Sequence, residues 1–133
     1  MTTFESKKVI NASPEAVYGF LSDFNNHGQL MPDSVQNWSA SYNEAGFTVQ
    51  NTIKLSLRIT ERVENKAVNI TAVDNPPFPV QLNWVLEADS DKTNVTFSIT
   101  AELNMMMKLV ASGPLQKLAD HETESLESLM RIS

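Results

Sequence analysis

The feature that most constrains this chain is a change of hydrophobic period. Between Val35 and Leu103 apolar residues recur at every second position, and beyond Leu103 they recur at helical spacing. A run of half-buried strands followed by one long amphipathic helix has few ways to bury both apolar faces at once. The helix must lie across the sheet. At 133 residues the chain is long enough for one core and short for two, so residues 1–133 are expected to form a single domain.

The elements can be placed in order. Phe4 to Asn11 reads as a first strand. Ser13-Pro14-Glu15 then opens a helix, with Ser13 as cap, Pro14 in the first helical position and Glu15 at the positive end of the dipole. Val17, Phe20, Leu21 and Phe24 form its apolar stripe, Asn25-Asn26-His27-Gly28 ends it, and Gln29 to Pro32 adds an irregular turn. From Val35, Trp38, Ala40 and Tyr42 alternate with polar neighbours, and Asn43-Glu44-Ala45-Gly46 suggests a hairpin turn.

Phe47 and Val49 continue the alternation, then Ile53, Leu55, Leu57, Ile59 and Val63. That run far exceeds a usual strand of about 5–6 residues, so a break is expected near Asn51-Thr52. Glu64-Asn65-Lys66 turns into a strand from Ala67 to Asp74, with Val68, Ile70 and Ala72 on one face. Asp74-Asn75-Pro76-Pro77-Phe78-Pro79 must be a loop, because prolines cannot donate to a sheet ladder. Leu82, Trp84 and Leu86 share a face of the next strand, and Asp89-Ser90-Asp91-Lys92 turns it into the last, with Val95, Phe97, Ile99 and Ala101 inward. The total is seven strands.

In the helical tail Met107, Ala111, Leu115, Leu118, Leu126 and Leu129 fall on one face. Ser112-Gly113-Pro114 interrupts it, and a proline there removes a backbone donor, so a kink or a break is expected before a second piece from Leu115 to Ile132.

This order resembles the helix-grip superfamily, which holds START-related lipid-transfer domains, polyketide cyclases and dehydratases, and the birch-pollen-allergen group. Three passages carry the likeness. Ile10-Asn11-Ala12-Ser13-Pro14-Glu15-Ala16-Val17-Tyr18 is similar to the family's first strand passing into its capped helix. Asp23 through Met31-Pro32, with Val35 and Trp38 beyond, is similar to its passage into the second strand. Lys108 to Leu118, containing Gly113-Pro114-Leu115-Gln116-Lys117, resembles the start of its C-terminal helix. The length fits the small bacterial-type members. All four glycines (Gly19, Gly28, Gly46, Gly113) are isolated, so the glycine-rich loop of the plant allergens has no counterpart here. The resemblance implies an α+β helix-grip fold: a curved seven-stranded antiparallel sheet wrapped on a long C-terminal helix, with two small helices near the N-terminus.

The resemblance also implies a cavity between sheet and helix that takes a hydrophobic small molecule such as a lipid, a quinone or a polyketide-like compound. Its expected lining is Trp38, Phe47, Leu57, Val68, Ile70, Leu82, Trp84 and Phe97 from the sheet, with Met107, Leu118 and Glu122 from the helix. A filled core would need the same residue types. Counting ~100° per residue from Leu118, Glu122 falls at about 40°, between Leu129 at about 20° and Leu126 at about 80°. An unpaired charge on that stripe is costly. Glu122 is therefore either a carboxyl with raised pKa at the cavity or a helix-end group reaching water or a cation, and it is the one weak catalytic candidate.

Other features speak for less. His27 is expected in an exposed loop and His121 at the edge of the stripe; no HxH, HxxxH or HExxH spacing suggests a metal. Either histidine, or Tyr42, is a conceivable acid–base partner for Glu122 in a cyclase, dehydratase or hydrolase. Arg58 and Arg62 are expected to face solvent, and the acidic run Asp120, Glu122, Glu124 and Glu127 reads mainly as a solvated face. Met105-Met106-Met107 suits ordinary packing or a gate at the cavity entrance. A third possibility is a protein-interaction module in which the acidic helix or the Phe78 loop meets a partner.

Composition removes several classes of function. A net charge of -6, from 10 basic and 16 acidic residues, argues against a nucleic-acid partner. No apolar run approaches the roughly 18 residues of a membrane span. Zero cysteines exclude thiolate catalysis and Cys-based metal sites, no GxSxG or triad pattern supports acyl transfer, and no cofactor or metal is expected. The opening Met1-Thr-Thr-Phe-Glu-Ser-Lys-Lys lacks the apolar stretch of a signal peptide, so a cytoplasmic monomer or homodimer is expected and the four Asn-x-Ser/Thr sequons carry no weight.

Overall fold

A computed structural model describes residues 1–49, 51 and 53–130. Seven strands form one antiparallel sheet: β1 (Thr2–Ile10), β2 (Val35–Ala40), β3 (Glu44–Val49), β4 (Ile53–Val63), β5 (Ala67–Val73), β6 (Val80–Asp89) and β7 (Lys92–Ala101). Their order is β1-β7-β6-β5-β4-β3-β2. Helix α1 (Pro14–Leu21), a 3-10 helix over Phe24–Leu30, and the long helix α2 (Met105–Leu129) complete the structure. The helix-grip architecture expected above is therefore present.

Local chemistry explains the N-terminal elements. Ser13 accepts a hydrogen bond from the Ala16 amide at 3.2 Å, and Pro14 opens α1. The helix ends earlier than its stripe suggests, because Asp23 caps a new segment by accepting from the Asn25 amide at 2.9 Å. Asn25-Asn26-His27-Gly28 is thus inside the 3-10 helix and does not terminate α1. The 3-10 period of three residues per turn sets Phe24, His27 and Leu30 on one buried face. His27 is only 1% exposed, contrary to the exposed loop expected for it.

Two irregularities redirect side chains in the sheet. The β2–β3 turn spans Ser41 to Asn43, shorter and earlier than expected, so Ala45 and Gly46 belong to β3. In β4 the register shifts between Ile59 and Glu61, leaving Thr60 as an extra residue. Leu55, Leu57 and Ile59 point inward as the alternation requires, but past the bulge the parity reverses. Val63 becomes exposed, and Arg62 is half-buried instead of facing solvent. Its Nε donates to the Ser22 carbonyl at 2.8 Å, a terminal N–H donates to the Tyr42 carbonyl at 3.1 Å, and the guanidinium lies 4.2 Å from the Tyr42 ring centroid. Arg58 does face solvent, where it donates to Glu44 at 2.7 Å. The break between β3 and β4 centres on Asn51, which adopts φ 58°; Thr52 lies outside the described residues.

Helix α2 runs from Met105 to Leu129 as one element, with no break at Ser112-Gly113-Pro114. Pro114 is tolerated because the first turns face outward and tertiary packing begins in earnest at Ala111 and Leu115. The end expected at Ile132 lies outside the described residues. Asn104 caps the helix through the Met107 amide at 2.8 Å. Its docking on β1 is partly polar. Thr123 donates to the Asp120 carbonyl, so Ser6 donates to Thr123 at 2.7 Å, and Gln116 donates to the Glu5 carbonyl at 3.1 Å.

Candidate functional site

The inward residues of the sheet are brought together by register. Val68 pairs with Trp84, Trp84 with Phe97, and Phe97 with Ser6, forming one row across four strands under α2. Within that row the Trp84 indole stacks on Phe97 with centroids 4.0 Å apart and planes at 18°. Such a pair contributes about 0.5–1.5 kcal/mol beyond its buried area. A second aromatic pair, Trp38 on Phe47 at 5.5 Å, lies nearer β2. Gly28 permits it. A Cβ at Gly28 would sit 2.9 Å from Trp38 Nε1.

Between these pairs and α2 is an internal void of about 10 Å³. That is at the lower limit for admitting a single water molecule. Trp38, Phe47, Leu57, Ile70, Leu82 and Trp84 line it from the sheet, and Leu118 and Glu122 from α2. Phe24, His27 and Met31 complete the lining. Three of the residues expected there are elsewhere. Val68 and Phe97 are buried beside Trp84 without reaching the void, and Met107 is half-buried near the start of α2. Sequence reading missed the 3-10 helix contribution, although the Phe24-x-x-His27-x-x-Leu30 spacing carried the signal.

Polar groups around this void are unusually placed. Glu122 is 2% exposed, and no hydrogen bond or ion pair to its carboxyl is found among the described residues. No cation meets it among the described residues. Burial alone pushes its pKa up to about 8, so it is a neutral acid below that pH. His27 donates from Nε2 to the Leu21 carbonyl at 2.8 Å, which leaves Nδ1 without a proton. Burial lowers its pKa to about 4, against the opposing pull of that carbonyl and of Asp23. The indole N–H of Trp84 is buried with no acceptor in reach among the described residues. Its ring meets His27 edge to face at 6.3 Å.

Outside the void, Pro32, Ser34, Val49, Pro114, Lys117, Leu118 and His121 line a recess of about 250 Å³. Leu118 lines both spaces and stands between them. His121 is exposed in this recess, away from His27, and no metal-holding group of side chains is found among the described residues. Tyr42 is half-exposed under Arg62 and has no part in the void. Met105 and Met106 are not packed: they project outward with Leu109 and Val110, and Phe78 is buried in place of an exposed loop tip.

The sequence matches a known protein family, described as polyketide cyclase/dehydrase and lipid transport, over residues 1–131. The chain belongs to that family. Solved structures agree on its fold. A Mycobacterium smegmatis START superfamily protein superposes with a TM-score of 0.71 at 15% identity, covering 96% of each chain. CV1439 from Chromobacterium violaceum gives 0.76 at 14% identity over 100% of both chains. The Aha1 dimer from Colwellia psychrerythraea gives 0.70 at 17% identity over 99% of this chain and 98% of that one. No curated protein matches the sequence. Within the described residues of this polyketide cyclase/dehydrase and lipid transport family member, no helix is long and apolar enough to cross a membrane.

Proposed function

We propose that the protein binds or carries a hydrophobic small molecule between its sheet and α2, entering beside Leu118. One observation carries the reading: Trp84, whose buried N–H has no acceptor, and Glu122, a buried carboxyl with no cation, wall a single void in a largely apolar interior. Leaving a buried polar group unsatisfied costs about 1–3 kcal/mol each, which packing alone has no reason to retain. The void is too small for such a ligand as it stands, so binding requires Leu118 and the part of α2 around it, Pro114 to His121, to shift toward the recess. Family membership over residues 1–131 supports the same reading and a single-domain organisation, and the sequence supports a cytoplasmic setting.

Native mass spectrometry of gently purified protein, followed by extraction, tests it. A stoichiometric apolar molecule is the expected result. A clean apo mass, together with no uptake of added naphthalene-type compounds, overturns it.

An enzymatic reading rests on the protonation of Glu122, because a buried neutral carboxylic acid can donate a proton to a bound substrate. In a cyclase or dehydratase, Glu122→Gln would abolish turnover while ligand affinity survives. Full turnover by that variant excludes Glu122 as the acid.

A further inference from the structure

The void has a chemical preference that its walls make legible. Trp84 Nε1–H is a donor only, fully buried, and has no acceptor among the described residues. Glu122 faces the same space from α2, and a neutral carboxyl adds an O–H donor. The remaining lining is aromatic or aliphatic apart from His27, whose Nε2–H is already used on Leu21. A buried indole donor without an acceptor and a buried carboxyl therefore belong to residues that wall the same void, one on the sheet and one on the helix, with no cation among them. An anion would have to leave water for a void with no cation to pair it, and a hydrocarbon would leave both donors unsatisfied.

We infer that the void receives the carbonyl oxygen of a neutral ligand, a ketone, ester or quinone, held by Trp84 Nε1–H and the Glu122 carboxyl. The volume agrees with this, since about 10 Å³ accommodates one such oxygen while the ligand's apolar body lies toward Leu118 and the larger recess. The inference rests on the ligand-binding reading and goes further in naming the chemistry of the buried end. It is also specific about geometry: the oxygen touches the Trp84 edge and not Trp38, whose ring lies against Phe47 and Gly28.

The test uses three probes of one shape: 2-acetylnaphthalene, 2-ethylnaphthalene and 2-naphthoate. Each is titrated at pH 7 into 15N-labelled protein while the two indole N–H signals are followed. The expected result is at least tenfold tighter binding of the ketone than of either other probe. The Trp84 indole proton moves downfield with the ketone alone, and the Trp38 signal serves as internal reference. Trp84→Phe abolishes the ketone's advantage, and Glu122→Leu reduces it. Because Trp84→Phe removes a core contact, the wild-type indole shift stands as the independent readout. Equal binding of ketone and hydrocarbon without a Trp84 shift overturns the inference and leaves the ligand-binding reading intact. Tightest binding of the naphthoate likewise overturns it. Failure of all three probes to bind overturns both.

Discussion

Trp84 and His27 meet edge to face, with ring centroids 6.3 Å apart and planes at 84°. One comes from the centre of the sheet and the other from a 3-10 turn some sixty residues earlier, and both border the void that Glu122 closes from above. His27 and Glu122 thus place a buried base and a buried acid on one void, each neutral near pH 6.

That pairing predicts an unusual pH profile of stability. Glu122 has a folded pKa of about 8 against 4.5 unfolded, so between those values the unfolded chain holds fewer protons and stability falls as pH rises. His27 has a folded pKa of about 4 against 6.5, so between those values the unfolded chain holds more protons and stability rises with pH. Each slope is about 1.4 kcal/mol per pH unit. The two cancel from about pH 4.5 to 6.5, and Glu122 alone acts from 6.5 to 8. Urea unfolding across pH 4–9 should show this plateau and the fall above it. In Glu122→Gln the fall above pH 6.5 should vanish and a loss below 6.5 should appear; an unchanged profile would refute the assignment.

Arg62 should matter far more than Arg58. It holds the Ser22 carbonyl at the end of α1 and the Tyr42 carbonyl in the β2–β3 turn, and it covers the Tyr42 ring. Hydrogen bonds from a charged group contribute about 1.5–3 kcal/mol, so Arg62→Ala is expected to lower stability by about 2 kcal/mol. Arg58→Ala removes an exposed, solvent-screened pair with Glu44 and should leave the denaturation midpoint essentially unchanged. Denaturation midpoints of the two variants decide it.

Gly28→Ala tests the close approach at Trp38. Its Cβ would fall 2.9 Å from Trp38 Nε1, so the indole must move off Phe47. A destabilisation of about 1–3 kcal/mol is expected, typical of overpacking, with a change in tryptophan emission. Unaltered emission and stability would show that the 3-10 helix yields instead.

Pro114→Ala should stabilise the protein. The proline lacks the N–H that would close a bond within α2, and alanine restores it at a position already helical. Helix propensity favours the change by up to about 3 kcal/mol. An increase in the thermal midpoint is the expected outcome; a decrease would mean that Pro114 is needed at the wall of the recess.

Much of the architecture was legible because it depends on period. The alternation of Val68 with Ile70 and of Leu82 with Trp84 identifies strands and their inner face, since side chains alternate across a sheet whatever surrounds them. The helical spacing from Ala111 to Leu126 identifies the gripping helix and sets Glu122 on its buried stripe by counting alone. Three things lay beyond such counting. The bulge at Thr60 reverses parity by one residue, and only pairing with β5 reveals where it falls. Helix continuity through Pro114 is decided by tertiary packing, which outweighs a local propensity. The burial of His27 depends on a three-residue period and on what Phe24 and Trp84 place around it. A sequence therefore determines which residues share a face, because that follows from backbone geometry; whether a polar group on that face finds a partner is decided by residues distant in the chain, and only the folded structure brings them together.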